Sequence, residues 1–346
     1  MINLIFYNEK EDMQKKNAHF DNIYEALETN NLSVLKKAIR NGLDINQPDK
    51  NGNHALFFAD VDQCRLLIAA GADINYIDSE GRNALFYCDS ISESLMLSDS
   101  FHKKNAEERA HFIVEQAKLK LQFLTESGIN IHQKDNYGNN LYKKCCDMEM
   151  VNFLLSHNVD YTGLNNNGES ILWYFAGVNA IDKILHSENS LECFVYFLEK
   201  GLDPHLSNVY GENVLFTVAE KSKFDVLAQY NVDINLININ NENILNQSSR
   251  ILDIDLAIYL IENGVRTDII NKHGLGLVEI YCEEPLVLMK LLEVDNYTPV
   301  QFDKNYYQDS ICTEFIEDLR LKSIAKEQEM LSHIINVSSP KKSARI

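Results

Sequence analysis

Three constellations in the sequence combine residue types that could do chemistry. His102 and His111 stand near Glu107, Glu108 and Glu115, the imidazole and carboxylate types from which a zinc site is built. A helical zinc motif needs two histidines four positions apart, so that both imidazoles leave one face. His102 and His111 lack that spacing, and the stretch reads as a solvated charged face that holds no metal. Cys145-Cys146, beside Lys143 and Lys144, offers thiols next to positive charge. A thiol nucleophile also needs a base within reach, and no histidine adjoins the pair, so both cysteines read as buried packing. Gly274-Leu275-Gly276 is the third candidate. A phosphate loop follows a strand and continues as G-x-G-x-x-G or a Walker pattern, and neither feature is present. The expectation is a chain with no catalytic residues and no cofactor.

What positions these residues is a repeat. Seven pairs stand ten positions apart: Gly42/Gly52, Gly71/Gly81, Gly128/Gly138, Asn158/Gly168, Gly201/Gly211, Asn231/Asn241 and Gly264/Gly274. Where glycine is missing asparagine replaces it, and these two residues adopt positive φ most readily. Each pair therefore marks two backbone turns. Apolar runs with helical spacing precede the first turn, as in Cys64–Leu67, Leu121–Leu124, Val151–Leu155, Phe194–Leu198 and Leu256–Ile261. Behind the second turn stands an N-cap candidate, namely Asn83, Ser170, Asn213 or Asn243, followed by a second apolar run. The unit is turn, helix, short connection, helix, turn.

This pattern resembles the ankyrin repeat family, in which Gly-x-Thr-Pro-Leu-His-x-Ala opens the first helix and Gly-Ala-Asp follows the second. Gly71-Ala72-Asp73 matches the latter in full, while Gly42-Leu43-Asp44, Gly201-Leu202-Asp203 and Asn231-Val232-Asp233 come near it. The resemblance spans about residues 22 to 295. It implies an all-α, ankyrin-like helical repeat solenoid with short hairpin turns and helical caps. The family's Thr-Pro pair is replaced throughout, by His54-Ala55, Asn83-Ala84, Asn140-Leu141, Ser170-Ile171, Asn213-Val214 and Asn243-Ile244. Loss of proline at the first helical position predicts softer repeats. Several are also short, 19 positions from Gly52 to Gly71 against 23 from Asn241 to Gly264.

The expected organisation is an N-terminal arm and capping helix pair at 1–46, repeats at 47–295, a capping helix at 296–337 and a flexible basic tail at 338–346. Two repeats are enlarged by insertions near 90–118 and 177–190, and the first of these predicts a long amphipathic helix over about 105–125.

A net charge of -19 repels phosphate backbones and argues against nucleic acid as a ligand. The same field favours a basic protein partner. The seven cysteines include no C-x-x-C spacing, which fits a reducing compartment and a cytoplasmic location. Met1–Lys10 lacks the basic and long apolar regions of a secretory signal, and no stretch is long enough to span a membrane.

Two sets of residues are the candidate protein-binding surface. One repeat position carries Phe58, Tyr87, Lys144, Tyr174 and Thr217, and hairpin tips carry Asp49, Tyr76, Asp78, Glu80, Asp135, Tyr137 and Tyr210. Aromatic anchors with acids suit a basic protein surface, although each ring could instead pack between repeats and tip acids could serve solubility alone. The expected function is non-catalytic: stoichiometric binding and inhibition of a basic toxin or enzyme, as by an immunity protein or antitoxin, from a chain that is a monomer on its own. The alternatives are an adaptor or secreted effector that docks a cellular protein, and, more remotely, an enzyme with an unrecognised C-terminal site.

Overall fold

The computed structural model describes residues 22–88, 104–145, 147–177, 188–246, 254–281, 284–293 and 321. Among the described residues the regular elements are all helices, with no strand. The chain divides into two compact units, 1–203 and 204–346. The capping helix expected at 296–337, the basic tail, His102 and Cys146 fall outside the described residues, with Leu321 the single exception in that stretch.

All fourteen turn residues picked out by the ten-residue spacing have positive φ, from 54° at Asn231 to 97° at Gly71. The first turn of each pair ends a helix by one device. At Gly71 the N–H bonds to Ile68 O at 3.0 Å, and the N–H of Ala72 reaches back to Leu67 O at 2.9 Å. This is the Schellman arrangement, which needs a left-handed residue followed by an apolar one that folds back on the helix. The six-to-one bond recurs from Leu43, Ile129, Val159, Leu202, Val232 and Val265. The Gly-Ala-Asp signature is therefore a helix stop: the glycine or asparagine supplies the φ, and the apolar residue after it closes the end.

The helices ended in this way include Leu32–Arg40, Val61–Ala69, Met148–Ser156, Glu188–Glu199, Lys221–Gln229 and Ile254–Glu262. Pro285–Glu293 is the last helix of this size among the described residues. It starts with proline at the first helical position, where the missing N–H has no partner to lose. The helix on the other side of each hairpin has shrunk to one turn. Ala55–Phe58 is α-helical, whereas Ala84–Tyr87, Leu141–Lys144 and Val214–Thr217 are 3-10 turns. Each still buries its leucine completely: Leu56, Leu85, Leu141, Leu172, Leu215 and Leu245 line the core. Truncating such a residue to alanine costs ~2–5 kcal/mol.

The one-turn helices are capped by the residue that replaced threonine. The side chains of His54, Asn83, Asn140, Asn213 and Asn243 accept from the backbone N–H two positions on. The asparagines also use their amide N–H groups on the next repeat: Asn83 donates to Asn130 O at 2.8 Å, Asn140 to Asp160 O at 2.5 Å and Asn243 to Arg266 O at 2.7 Å. Ser170 departs from the expectation, because Ile171 precedes the Leu172–Ala176 helix and no side chain caps it.

The first insertion contains the long helix, Ala106–Glu126, started by a capping box between Asn105 and Glu108. Glu108 is thereby a structural residue of a helix start. Val114, Ala117, Leu121 and Leu124 are buried at helical spacing, and the helix packs against Val61–Ala69 and Ala84–Tyr87. Its Lys120 is buried and donates to Phe57 O at 2.9 Å. The remainder of this insertion before Lys104, and residues 178–187 of the second one, lie outside the described residues.

Candidate interaction site at the hairpin tips

Three positions before the second turn residue of every repeat stands Asp or Asn: Asp49, Asp78, Asp135, Asn165, Asn208, Asn238 and Asn271. In each case the side-chain oxygen accepts two backbone N–H bonds, from the residues two and four positions on. At Asp78 these come from Glu80 at 2.8 Å and Arg82 at 2.9 Å, and at Asn238 from Asn240 at 2.9 Å and Glu242 at 3.0 Å. A short acceptor that bonds its own backbone fixes a tight turn, so all seven tips share one shape.

The rest of the Asp or Asn side chain selects its partner one position after the turn residue. An aspartate meets a donor: Asn53 at Asp49, Arg82 at Asp78 and Asn139 at Asp135, at 2.9, 2.8 and 2.9 Å. An asparagine meets a glutamate: Glu169 at Asn165, Glu212 at Asn208 and Glu242 at Asn238, at 2.7, 3.1 and 3.3 Å. At these six tips donor faces acceptor, with the chemistry reversed between the two sets; at the seventh, Leu275 stands in the partner position of Asn271. Neighbouring tips are then tied by backbone bonds, Asn136 N–H to Glu80 O at 2.7 Å and Asn166 N–H to Tyr137 O at 2.8 Å in the first unit. In the second unit Ile239 N–H reaches Tyr210 O at 2.9 Å and Lys272 N–H reaches Asn240 O at 2.8 Å.

This geometry divides the residues expected to form a binding surface. Asp78 and Asp135 are turned inward, 7% and 6% exposed, because their carboxylates are consumed in building the turns. Asp49 serves its own turn in the same way. Burial opposes ionisation of Asp78, but hydrogen bonds from Tyr87 and Arg82 overcome it and hold the carboxyl below the usual carboxylate range. Tyr87 stacks on Phe57 with ring centroids 4.5 Å apart and donates to Asp78 Oδ2 at 2.5 Å. Burial and the neighbouring Asp78 carboxylate raise its pKa well above the ordinary value. Tyr174 donates to Asn139 Oδ1 and lies beside Asn165, with burial pushing it up to about 12. Tyr76 stacks on His54 at 4.9 Å and donates to Gly52 O at 3.1 Å. These tyrosines hold repeats together through their rings and hydroxyls.

Tyr137, Tyr210 and Phe58 do face solvent, Tyr137 being 59% exposed, and Glu80 is half-exposed in an ion pair with Arg82 at 2.8 Å. Sequence reasoning missed Ile77, Leu164, Val209 and Ile239, all exposed on the same hairpins, Ile239 at 67%. Their signal was available: each is an apolar residue two or four positions before a second turn residue, where the backbone turns into water. The tips thus present aliphatic and aromatic side chains on a backbone that cannot easily rearrange. Such a surface can bury apolar area and offer carbonyls and amides at its edges.

Among the described residues no three His, Cys, Asp or Glu side chains gather to hold a metal. Cys64, Cys88, Cys145 and Cys193 are buried. None of the helices among the described residues is long and apolar enough to cross a membrane. Comparison with protein-family models and with curated proteins finds no match.

Proposed function

We propose that this chain is a non-catalytic protein-binding module of ankyrin-like helical repeats, acting by stoichiometric binding and inhibition of a basic protein, in the manner of an immunity protein or antitoxin. The observation that carries the reading is the set of solvent-facing apolar side chains that each unit carries on hairpins locked by the Asp or Asn turns: Ile77, Tyr137 and Leu164 in the first unit, and Val209, Tyr210 and Ile239 in the second. Exposed apolar groups on a rigid frame lose little entropy when a partner covers them. The charge of -19 supports a basic partner, since it would hasten encounter and make association fall with salt.

The test is recovery of the partner on the tagged full-length chain through washes of rising salt, repeated with Tyr137→Ala and Ile239→Ser variants. The reading predicts one stoichiometric basic protein whose activity falls on binding, and its loss from the variants. Recovery that both variants leave unchanged, or a partner of acidic character held equally at all salt concentrations, defeats it.

A further inference from the structure

In the first unit, the helix Ile23–Glu28 and the hairpin around Asp49 line a groove of about 700 Å³. Its apolar lining includes Tyr24 and Phe58, which meet edge to face with ring centroids 6.2 Å apart, together with Leu27 and Pro48. Phe58 remains 36% exposed. The Tyr24 hydroxyl is spent on Gln47 O at 3.1 Å and Asn53 O at 2.5 Å, so that ring is a fixed wall. Around the groove stand the carboxylates of Glu25, Glu28, Asp44 and Asp49, against the single ammonium of Lys50. Asp49 stays ionised: burial works against it, but hydrogen bonds from the side chain and backbone of Asn53 and from Asn51 hold it below the ordinary carboxylate range.

We infer that this groove binds a cationic amphipathic segment of the partner protein, an apolar side chain packing against the Tyr24 and Phe58 rings while flanking arginines or lysines meet Glu28 and Asp44. Charge complementarity selects this occupant. An uncharged apolar peptide would leave the acidic rim without counterions, and an acidic one would meet four carboxylates. Arginine suits the site in particular, because its flat guanidinium can lie on an aromatic face while its N–H groups reach a carboxylate. The inference rests on the protein-binding reading and adds a second contact area to the hairpin tips.

The experiment is fluorescence anisotropy of the full-length chain with three labelled probes: a nine-residue peptide alternating leucine and arginine, its leucine-glutamate counterpart, and an all-arginine peptide. The leucine-arginine probe binds saturably, the leucine-glutamate probe does not, and the all-arginine probe is weaker by about tenfold or more for want of the buried anchor. Phe58→Asp and Glu28→Lys each weaken the leucine-arginine probe by about tenfold, with helicity checked by circular dichroism. Both sites are exposed, so Glu28→Lys serves where Phe58→Asp disturbs folding. Equal binding of the all-arginine probe, or binding that neither variant weakens, overturns the groove as a specific site. Concentration-dependent dimers abolished by Phe58→Asp assign the groove to a second copy and overturn the inference too. If the partner is lost from the tip variants but retained by Phe58→Asp and Glu28→Lys, the groove fails while the protein-binding reading stands. Loss from neither set removes both.

Discussion

Asn238→Asp tests whether donor and acceptor at the hairpin tips must be complementary. Asn238 is buried, and its amide donates to Glu212 Oε1 at 3.0 Å in the neighbouring hairpin and to Glu242 Oε2 at 3.3 Å in its own. The substitution keeps the oxygen that accepts from Asn240 and Glu242 N–H, so the turn survives. It replaces the donating group by a second acceptor facing two carboxylates. Each hydrogen bond to a charged group is worth ~1.5–3 kcal/mol, and two like charges 4 Å apart repel by ~4 kcal/mol at an effective dielectric of 20. Proton uptake limits the damage, since each unit by which a pKa is raised costs ~1.4 kcal/mol. The net expectation is a loss of about 3 kcal/mol at about pH 7.5, read from urea unfolding followed by circular dichroism. The folded state of the variant then binds more protons than the unfolded state, so its stability falls as pH rises. The deficit therefore shrinks to about half, ~1.5 kcal/mol, as pH is lowered to about 5. Adding Glu242→Gln restores a donor opposite the new carboxylate, as Asn53 does at Asp49 and Asn139 at Asp135, and recovers about half the loss. A single variant within ~0.5 kcal/mol of the parent, or a double variant no better than the single, would refute the complementarity argument.

Asn83→Ala removes a helix cap and the bond to Asn130 O in the next repeat, and lowers unfolding free energy by ~2 kcal/mol; a loss confined to ~0.5 kcal/mol on urea titration contradicts the double role. Tyr87→Phe deletes the donor to Asp78 while keeping the stack on Phe57, which costs ~1–2 kcal/mol; unchanged stability would return Tyr87 to the candidate binding surface. Cys64 is buried and its thiol is pushed up to about 11, mainly by desolvation, so at about pH 8 it reacts with a thiol reagent only as fast as the chain opens. Rapid labelling in native buffer disproves that. Asp49 and Asp78 are held low by hydrogen bonds that outweigh burial, and Asp160 chiefly by the Thr162 N–H and hydroxyl. Their stabilisation is present above the unfolded carboxylate value of about 4 and is lost as pH falls through the folded values. Urea midpoints that stay level below about pH 4 would contradict it.

The periodicity of the sequence set the positions of the turns, because positive φ is a local demand that glycine and asparagine meet at little cost. The fourteen positions spaced by ten, the N-cap asparagines and the helix of the first insertion were all legible for that reason: each depends on neighbours within a turn or two of the same chain. Tyr137, Tyr210 and Phe58, singled out from the sequence, are exposed. What it left open was the direction of each side chain at the tips. Asp78 and Asp135 carry the same charge as exposed acids, yet they face inward because backbone N–H groups two and four residues on converge on them. Tyr87 and Tyr174 have the composition of binding anchors, yet their hydroxyls are drawn to Asp78 and Asn139. Ile77, Leu164, Val209 and Ile239 look like core residues by type and are exposed because the locked hairpin turns them outward. Ring stacking, exposure and the ties between adjacent hairpins depend on groups brought together from distant positions, such as Asn83 with Asn130 or Asn238 with Glu212. Only the tertiary structure decides which of them meet, because burial and hydrogen-bond partnership belong to the packed chain and not to any residue within it.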